Sequence, residues 1–369
     1  MKRKTVAFIM AVSMMAALAG CGSSDAASEA VQQNETVPAE ADTLTAETDA
    51  SADAQTESGA VYKVGIVQYV DDASLNQIEK AIEAELTAKG EELGVTFDFA
   101  DYTHNGQADS TVLNQIAVDL VADEVDVIIP IATPAAMIMQ NVTEDNQIPV
   151  VFSAVSDPAG AGLVASNEAP GANITGTSDA IDTEAIFELI MAANPDTEKV
   201  GLLYDKSQAG SLQSIEDAKA YCDENGLTYV EKTGTTTAEI QAAADALVAE
   251  QVDAVFTPQD NTVMTAELAI FEKFTDAKIP HYTGADSFAL NGAFCGYGVN
   301  YENLGTVTAD MAIDILVNGA EPSTMAVRTL SDGIITINTE TAEAIGIDYS
   351  VLEGMGSQLI ETVTAEEFE

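Results

Sequence analysis

Past residue 60 the chain alternates short continuous apolar runs with longer stretches in which apolar residues recur every three or four positions. Runs of the first kind, bounded by turn residues, predict strands buried on both faces; they fall at 64–69, 96–100, 127–131, 149–152, 200–204, 228–231, 254–257 and 294–299. The second pattern predicts amphipathic helices at 74–89, 110–122, 134–143, 183–193, 211–225, 237–250, 261–275 and 304–318. Such alternation builds parallel sheets covered by helices on both faces, so the fold class is α/β.

The pattern also repeats. Leu120-Val121-Ala122-Asp123-Glu124-Val125-Asp126-Val127 aligns without a gap on Leu247-Val248-Ala249-Glu250-Gln251-Val252-Asp253-Ala254, and the register holds as far as Met137 over Met264. A looser match lays Val64-Gly65 and Ser74-Leu75 over Val200-Gly201 and Ser211-Leu212. Two similar α/β lobes account for this most simply. Ligands of such sheets sit beyond the carboxyl ends of the strands, so two lobes facing each other share a cleft.

The first sixty residues differ in character. Lys2-Arg3-Lys4 precedes an apolar stretch from Thr5 to Leu18, too short for a permanent span, and Leu18-Ala19-Gly20-Cys21 closes it. A basic start, a short apolar core and small residues before a cut mark a secretory signal. The closing tetrad resembles the lipobox of bacterial lipoproteins, which implies that Cys21 becomes the lipidated first residue of the mature chain. From Gly22 to Ala60 there is no aromatic residue, Lys or Arg. Such a segment cannot bury enough apolar surface to offset its ordering entropy, and its like charges extend it, so it reads as a tether.

Across the whole chain 61 Asp and Glu stand against 13 Lys and Arg, a formal net charge of −48. A chain so acidic has little with which to displace the counterions of phosphates, which excludes nucleic acid as a partner. The charge reads as a solvated surface. With Cys21 lipidated, Cys222 and Cys295 are left to pair or to stay apart; one lies in a helical pattern and the other in a strand pattern, which favours separate thiols.

The residues just past the strands are the candidate site. After 127–131 comes Ala132-Thr133-Pro134-Ala135, where Thr133 reads as an N-cap and free helix amides follow. After 149–152 comes Ser153-Ala154-Val155-Ser156-Asp157-Pro158, and after 200–204 comes Ser207-Gln208-Ala209-Gly210-Ser211. In the repeat, Asp260 takes the place of Thr133 and is followed by Asn261 and Thr262. One lobe therefore offers hydroxyls and amides where the other offers a carboxylate, an asymmetry suited to a small zwitterion. Past the signal the only Arg is Arg328, in an apparent late strand. A ligand carboxylate then falls to the surroundings of Thr133, Ala135, Ser153 and Ser156. The ammonium falls to Asp260 or Asp286, with Asp157 and Asp72 as further candidates. Each of these aspartates equally suits a cap or a turn. Tyr69, Phe152, Tyr204 and Phe288 stand near strand ends and either wall the ligand or belong to the core.

Several blocks, in order, resemble the ABC-transporter substrate-binding lipoproteins of the tryptophan-binding-like type. They are Ile131-Ala132-Thr133-Pro134-Ala135-Ala136, Val150-Val151-Phe152-Ser153-Ala154-Val155-Ser156-Asp157-Pro158, Asn173-Ile174-Thr175-Gly176-Thr177-Ser178-Asp179, Pro258-Gln259-Asp260-Asn261-Thr262-Val263 and Gly298-Val299-Asn300-Tyr301-Glu302-Asn303-Leu304-Gly305, with the closing stretch from Asn338 to Ile347. The resemblance implies a type I periplasmic-binding-protein fold: two doubly wound parallel-sheet lobes, a hinge near 177–181 and 298–301, and an interlobe cleft. The lobes would comprise 61–178 plus about 300–330 and 179–299 plus about 331–369, after a signal and lipidated cysteine at 1–21 and a tether at 22–60. Relatives often carry a His where this chain has Asp72, and Asn-Ser where it has Gly210-Ser211; both positions face the cleft on this reading.

The expectation is a monomeric, extracytoplasmic solute-binding lipoprotein, anchored at the outer face of the cytoplasmic membrane or in the periplasm. It would serve an ABC permease and its ATPase by closing over an amino acid, often aromatic. The expected ligand-binding residues are Tyr69, Asp72, Ser74, Thr133, Ala135, Ser153, Ser156, Asp157, Ser211, Asp260, Asn261 and Asp286. Alternatives on the same fold are a nucleoside, sugar or peptide-fragment carrier, or a tethered sensor for a membrane kinase; the lack of Trp weighs against a sugar. No catalysis, cofactor or metal is expected. His104 and His281 lack a Ser or Cys partner at a familiar spacing, the Cys and His residues form no ligand pattern, and the glycines form no phosphate loop.

Overall fold

The apolar runs become the interior strands of two sheets. A computed structural model describes residues 59–365; the signal segment, Cys21, nearly all of the acidic stretch and residues 366–369 lie outside the described residues. In chain order the first lobe begins with β1 (Val61–Gln68), α1 (Ala73–Leu93), β2 (Thr96–Asp98), β3 (Thr103–Asn105), α2 (Ser110–Ala122), β4 (Val127–Ile131), α3 (Thr133–Thr143), β5 (Val150–Phe152) and β6 (Ile174–Ser178). The second lobe follows with α4 (Thr183–Ala193), β7 (Lys199–Tyr204), α5 (Ala209–Asn225), β8 (Thr228–Thr233), α6 (Thr237–Glu250), β9 (Ala254–Thr257), α7 (Asn261–Ala266), α8 (Phe271–Ala277), β10 (His281–Thr283), α9 (Asp286–Leu290) and β11 (Cys295–Gly298). The chain then returns through α10 (Tyr301–Asn318) and β12 (Arg328–Thr329) before closing with β13 (Ile334–Asn338), α11 (Thr339–Ile345) and β14 (Gln358–Thr362).

The first sheet runs β12-β6-β5-β4-β1-β2, with β3 also paired to β1, and every pairing is parallel. The second runs β14-β13-β11-β10-β9-β7-β8 and is antiparallel only between β11 and β13. The polypeptide passes between sheets at 179–182, 299–300 and 330–333. The third crossing joins two short strands and adds to the two hinge segments expected from the sequence.

Both lobes seat helix on sheet by the same devices. Gly65 of β1 lies under Leu120 of α2, whose Cδ1 would stand 2.9 Å from a Cβ there; Gly201 of β7 lies under Leu247 of α6 with the same 2.9 Å. A side chain at either glycine would lift the helix off the strand. The Lys63 amide donates to Asp126 Oδ2 at 2.7 Å while its Nζ donates to the Asp123 carbonyl at 2.7 Å. Lys199 does the same to Asp253 Oδ2 and the Glu250 carbonyl, both at 2.8 Å. These residues are partners in the sequence repeat, which is therefore a repeated packing solution. Helix α10 crosses back to lie on α1, with Gly305 so close that a Cβ would stand 2.5 Å from the Ile78 carbonyl oxygen. That approach buries Ile78, Ile82 and Leu86 with Leu304 and Met311 and carries Tyr301 to the lobe boundary.

Two features depart from the sequence pattern. The continuous helix expected over 261–275 is broken into α7, a 3-10 turn at Glu267–Ala269 and α8. Glu267 turns inward there, with Oε1 3.0 Å from His281 Nδ1, while His281 Nε2 lies 2.8 Å from Thr257 Oγ1. Strand β6 is the other departure, because its Ile-Thr-Gly-Thr-Ser sequence lacks an apolar run. Its threonines are buried with their hydroxyls satisfied: Thr175 donates to the Met325 carbonyl at 2.6 Å and Thr177 Oγ1 lies 2.8 Å from Thr308 Oγ1. Strands β3, β10, β13 and β14 likewise lie outside the predicted set, being short or late in the chain, whereas β12 is the late strand expected at Arg328. Cys222 and Cys295 are free and buried.

Candidate ligand-binding site

Beyond the carboxyl ends of both sheets the lobes enclose a narrow cleft of about 30 Å3, well below the range of small-molecule sites, so the lobes must part to admit a ligand. The first lobe contributes Asp72, Ser74 and Leu75 from the start of α1, Ala132 and Thr133 after β4, and Ala154 and Ser156 after β5. Asp179 enters from the first crossing and Tyr301 from the start of α10. Gln259, Asn261, Met264, Ala285 and Phe288 form the second-lobe wall.

The corner at α3 is shaped by unusual backbone. Ala132 holds the cap position at φ 80°, ψ 152°, a region almost reserved for glycine, and Ala154 has φ 53°. The Ala132 amide is used on the Ser153 carbonyl at 2.9 Å, which ties the two strand ends together. Thr133 is thus the first helical residue and not the N-cap that the sequence suggested. Among described helices longer than eight residues, only α3 and α5 begin without a side-chain cap. Pro134 has no amide hydrogen and the Ala136 amide bonds the Ala132 carbonyl at 3.1 Å. The amides of Thr133 and Ala135 therefore remain at the positive end of the helix. Thr133 is 5% exposed, and its hydroxyl lines the cleft without a hydrogen-bond partner among the described residues.

Carboxylates share the cleft with this helix start. Asp72 caps α1, its Oδ1 accepting from the amides of Ser74 at 2.9 Å and Leu75 at 3.3 Å. Burial, with Asp286 nearby, pushes its pKa up to about 6. Asp179 accepts from Ser156 Oγ at 3.3 Å, and burial pushes it up to about 6 as well. The Tyr301 phenol is raised well above its ordinary value, chiefly by burial and then by Asp179, Asp286 and Asp72. None of these three aspartates belongs to an ion pair among the described residues. Gln259 Nε2 donates to the Asp179 carbonyl, while its Oε1 is buried without a partner.

Of the residues expected from sequence, Asp72, Ser74, Thr133, Ser156 and Asn261 line this cleft. Ala135 presents only its amide, since its side chain packs in the first-lobe core. Others are placed elsewhere, and the sequence reading of them needs correction. Ser153 is fully buried, with Oγ 2.9 Å from Thr308 Oγ1 and 3.3 Å from Thr177 Oγ1, so it fastens α10 to the sheet. Asp157 accepts the Gly160 amide at 2.8 Å as a turn residue. Asp260 points into its own lobe. Its Oδ1 accepts from the Thr262 and Val263 amides at 3.1 and 3.0 Å, and its Oδ2 from the Asp205 amide and Ser211 Oγ, both at 2.8 Å. Asp260 and Ser211 are thereby consumed internally. Asp286 lies beside the cleft, engaged by Ser74 Oγ and by Gln77 Nε2. Tyr69 stands outside the lining near Gln208 and Asp205, its phenol raised mainly by burial.

Sequence reasoning missed Asp179, Gln259 and Tyr301 as site residues and left Phe288 undecided. Asp179 follows β6 directly and Gln259 comes two residues after β9, within the motif blocks 173–179 and 258–263, which was the signal available. His104 and His281 lie outside the lining.

The family model for ABC transporter substrate binding proteins matches residues 63–353. The tyrosine-binding protein of Clostridioides difficile strain R20291 is 31% identical over 293 residues, covering 79% of this chain and 83% of the relative. An ABC domain from Streptococcus pneumoniae solved in complex with L-Trp is 32% identical, with a TM-score of 0.74 over 82% of this chain and 100% of that one. The ligand-free, open structure of a substrate-binding protein with adhesive properties from Clostridium difficile is 31% identical, covers 82% of this chain and 100% of its own, and gives a TM-score of 0.63. At nearly equal identity the chain superposes better on the complex than on the open form, in keeping with lobes that touch across the cleft. The fold is that of type I periplasmic binding proteins, and the chain belongs to the family of ABC transporter substrate-binding proteins.

Proposed function

We propose that this chain is the extracytoplasmic receptor of an ABC importer, that it captures an amino acid, preferably aromatic, between its lobes for delivery to a permease, and that lipid on Cys21 anchors it to the membrane. One observation carries the ligand class: a single cleft joins the uncapped start of α3 to buried carboxylates that no cation among the described residues neutralises. A zwitterion answers both. Its carboxylate takes the amides of Thr133 and Ala135 with the hydroxyls of Thr133 and Ser156. Its ammonium takes Asp179, with Asp72 adding to the field. Phe288, Tyr301, Met264 and Leu75 supply apolar walls for a side chain. The tyrosine and L-Trp named for the relatives support an aromatic one. Contacts to both lobes give the closed state its differential affinity.

A thermal-shift screen tests the class. Aromatic amino acids raise the melting temperature by mass action; a response to sugars or nucleosides with none to amino acids removes the reading.

The buried carboxylates set opposite pH trends for the ligand-free chain and for binding. Asp72 and Asp179 have folded pKa values of about 6 against an ordinary 3.8, so their ionisation opposes folding above pH ~6. The empty protein therefore gains stability as pH falls from 7 towards 5, by denaturant titration. Affinity for the ammonium moves the other way, weakening by up to ~10-fold per pH unit for each carboxylate that protonates. Calorimetry showing equal affinity at pH 7 and pH 5 would falsify the carboxylate–ammonium pairing.

Because Asp260 anchors its own lobe, Asp260→Ala costs about 2 kcal/mol or more of folding stability through the lost cap and stranded donors. Full stability with lost affinity would return Asp260 to the site. Cys21→Ala releases the exported chain into the soluble fraction; retention in membrane pellets refutes the anchor.

A further inference from the structure

Helix α9 has five residues and no side-chain cap of its own, yet its first turn is fastened to the opposite lobe. Ser74 Oγ donates to Asp286 Oδ1, Gln77 Nε2 donates to Asp286 Oδ2 at 3.2 Å, and the Ser287 amide donates to Ser74 Oγ at 3.2 Å. Ser74 and Gln77 stand on α1 in the first lobe, whereas Asp286 and Ser287 open α9 in the second. One carboxylate thus accepts from two side chains across the boundary. One hydroxyl donates to that carboxylate and accepts from the amide next to it. A second crossing contact involves Gly210 of α5, where a Cβ would stand 3.1 Å from Thr133 Oγ1 and 3.5 Å from Ser156 Oγ. Asp286 and Gln77 lie outside the cleft lining, but Ala285 and Phe288, on either side of the fastened turn, belong to it.

We propose that Ser74, Gln77 and Asp286 form an interlobe latch: positioning residues that join α1 to α9, hold the Ala285–Phe288 wall in place and favour the closed lobes, with Gln77 and Asp286 acting from outside the cleft lining. Asp286 has both oxygens engaged by first-lobe donors, so it has no need of a ligand ammonium. A latch made wholly of protein groups raises the fraction of molecules already competent to bind, and apparent affinity scales with that fraction. Its loss therefore weakens every ligand by one common factor. This rests on the amino-acid reading only for the choice of ligands, since the latch is a contact of the chain with itself.

Hydrogen exchange on the full ligand-free chain and calorimetry on Gln77→Ala, Asp286→Ala and Asp286→Asn test the proposal. Gln77→Ala leaves the α1 cap intact and guards against misfolding; Asp286→Asn keeps an acceptor. The latch predicts faster exchange over residues 285–290, and also at the distant 208–211 contact, in Gln77→Ala and Asp286→Ala. L-tyrosine and 3-(4-hydroxyphenyl)propionate, which lacks the ammonium, both weaken by about 10-fold in those variants, and Asp286→Asn recovers most of the loss. Weaker L-tyrosine binding with unchanged propionate binding in Asp286→Ala makes Asp286 a ligand contact and overturns the latch. Exchange in the wild type as fast as in Gln77→Ala overturns it too. If no amino acid binds the wild type, the amino-acid reading fails while the exchange comparison still decides the latch.

Discussion

Burying a carboxylate without a cation is among the costlier things a fold can do, and the space between these lobes holds Asp72, Asp179 and Asp286 in that condition. The cost is limited by local donors: two helix amides at Asp72, a serine hydroxyl at Asp179, and a serine and a glutamine at Asp286. Those donors keep the groups tolerable and leave their charge unneutralised. Much else about the molecule follows from that arrangement. The α3 helix start adds positive potential to the same narrow cleft.

Helix starts are put to two uses here. Most of the longer helices spend an Asp, Asn or Thr on their first amides, which silences them. The start of α3 is left open by Ala132, in a backbone conformation that leaves no capping side chain in position. Strain of this kind persists only where the surroundings over-determine it; the bond from Ala132 to the Ser153 carbonyl supplies part of that restraint.

The two lobes show how a repeat can keep its scaffold and divide its roles. Gly65 under Leu120 and Gly201 under Leu247, with the paired Lys63–Asp126 and Lys199–Asp253 ties, preserve one way of packing helix on strand. At the strand ends the likeness stops. Thr133 turns to the cleft, while Asp260, its counterpart in the alignment, turns inward to cap α7 and hold Ser211 and the Asp205 amide. The second lobe then meets the cleft through the neighbours Gln259 and Asn261.

Sequence alone determined the alternation of strands and helices, the duplication and the acidic charge, because each depends on local periodicity or composition. It also located the loops that build the cleft, since these follow strands directly. Tertiary structure decided which side chains within those loops face the gap. An aspartate before a helix looks the same in one dimension whether it caps and also reaches the cleft, like Asp72, or caps and anchors its own lobe, like Asp260. Likewise the polar strand β6 and the broken helix over 261–275 depend on distant partners, Thr308, Met325 and His281. Direction and burial arise from contacts between residues far apart in the chain, and no local pattern carries them.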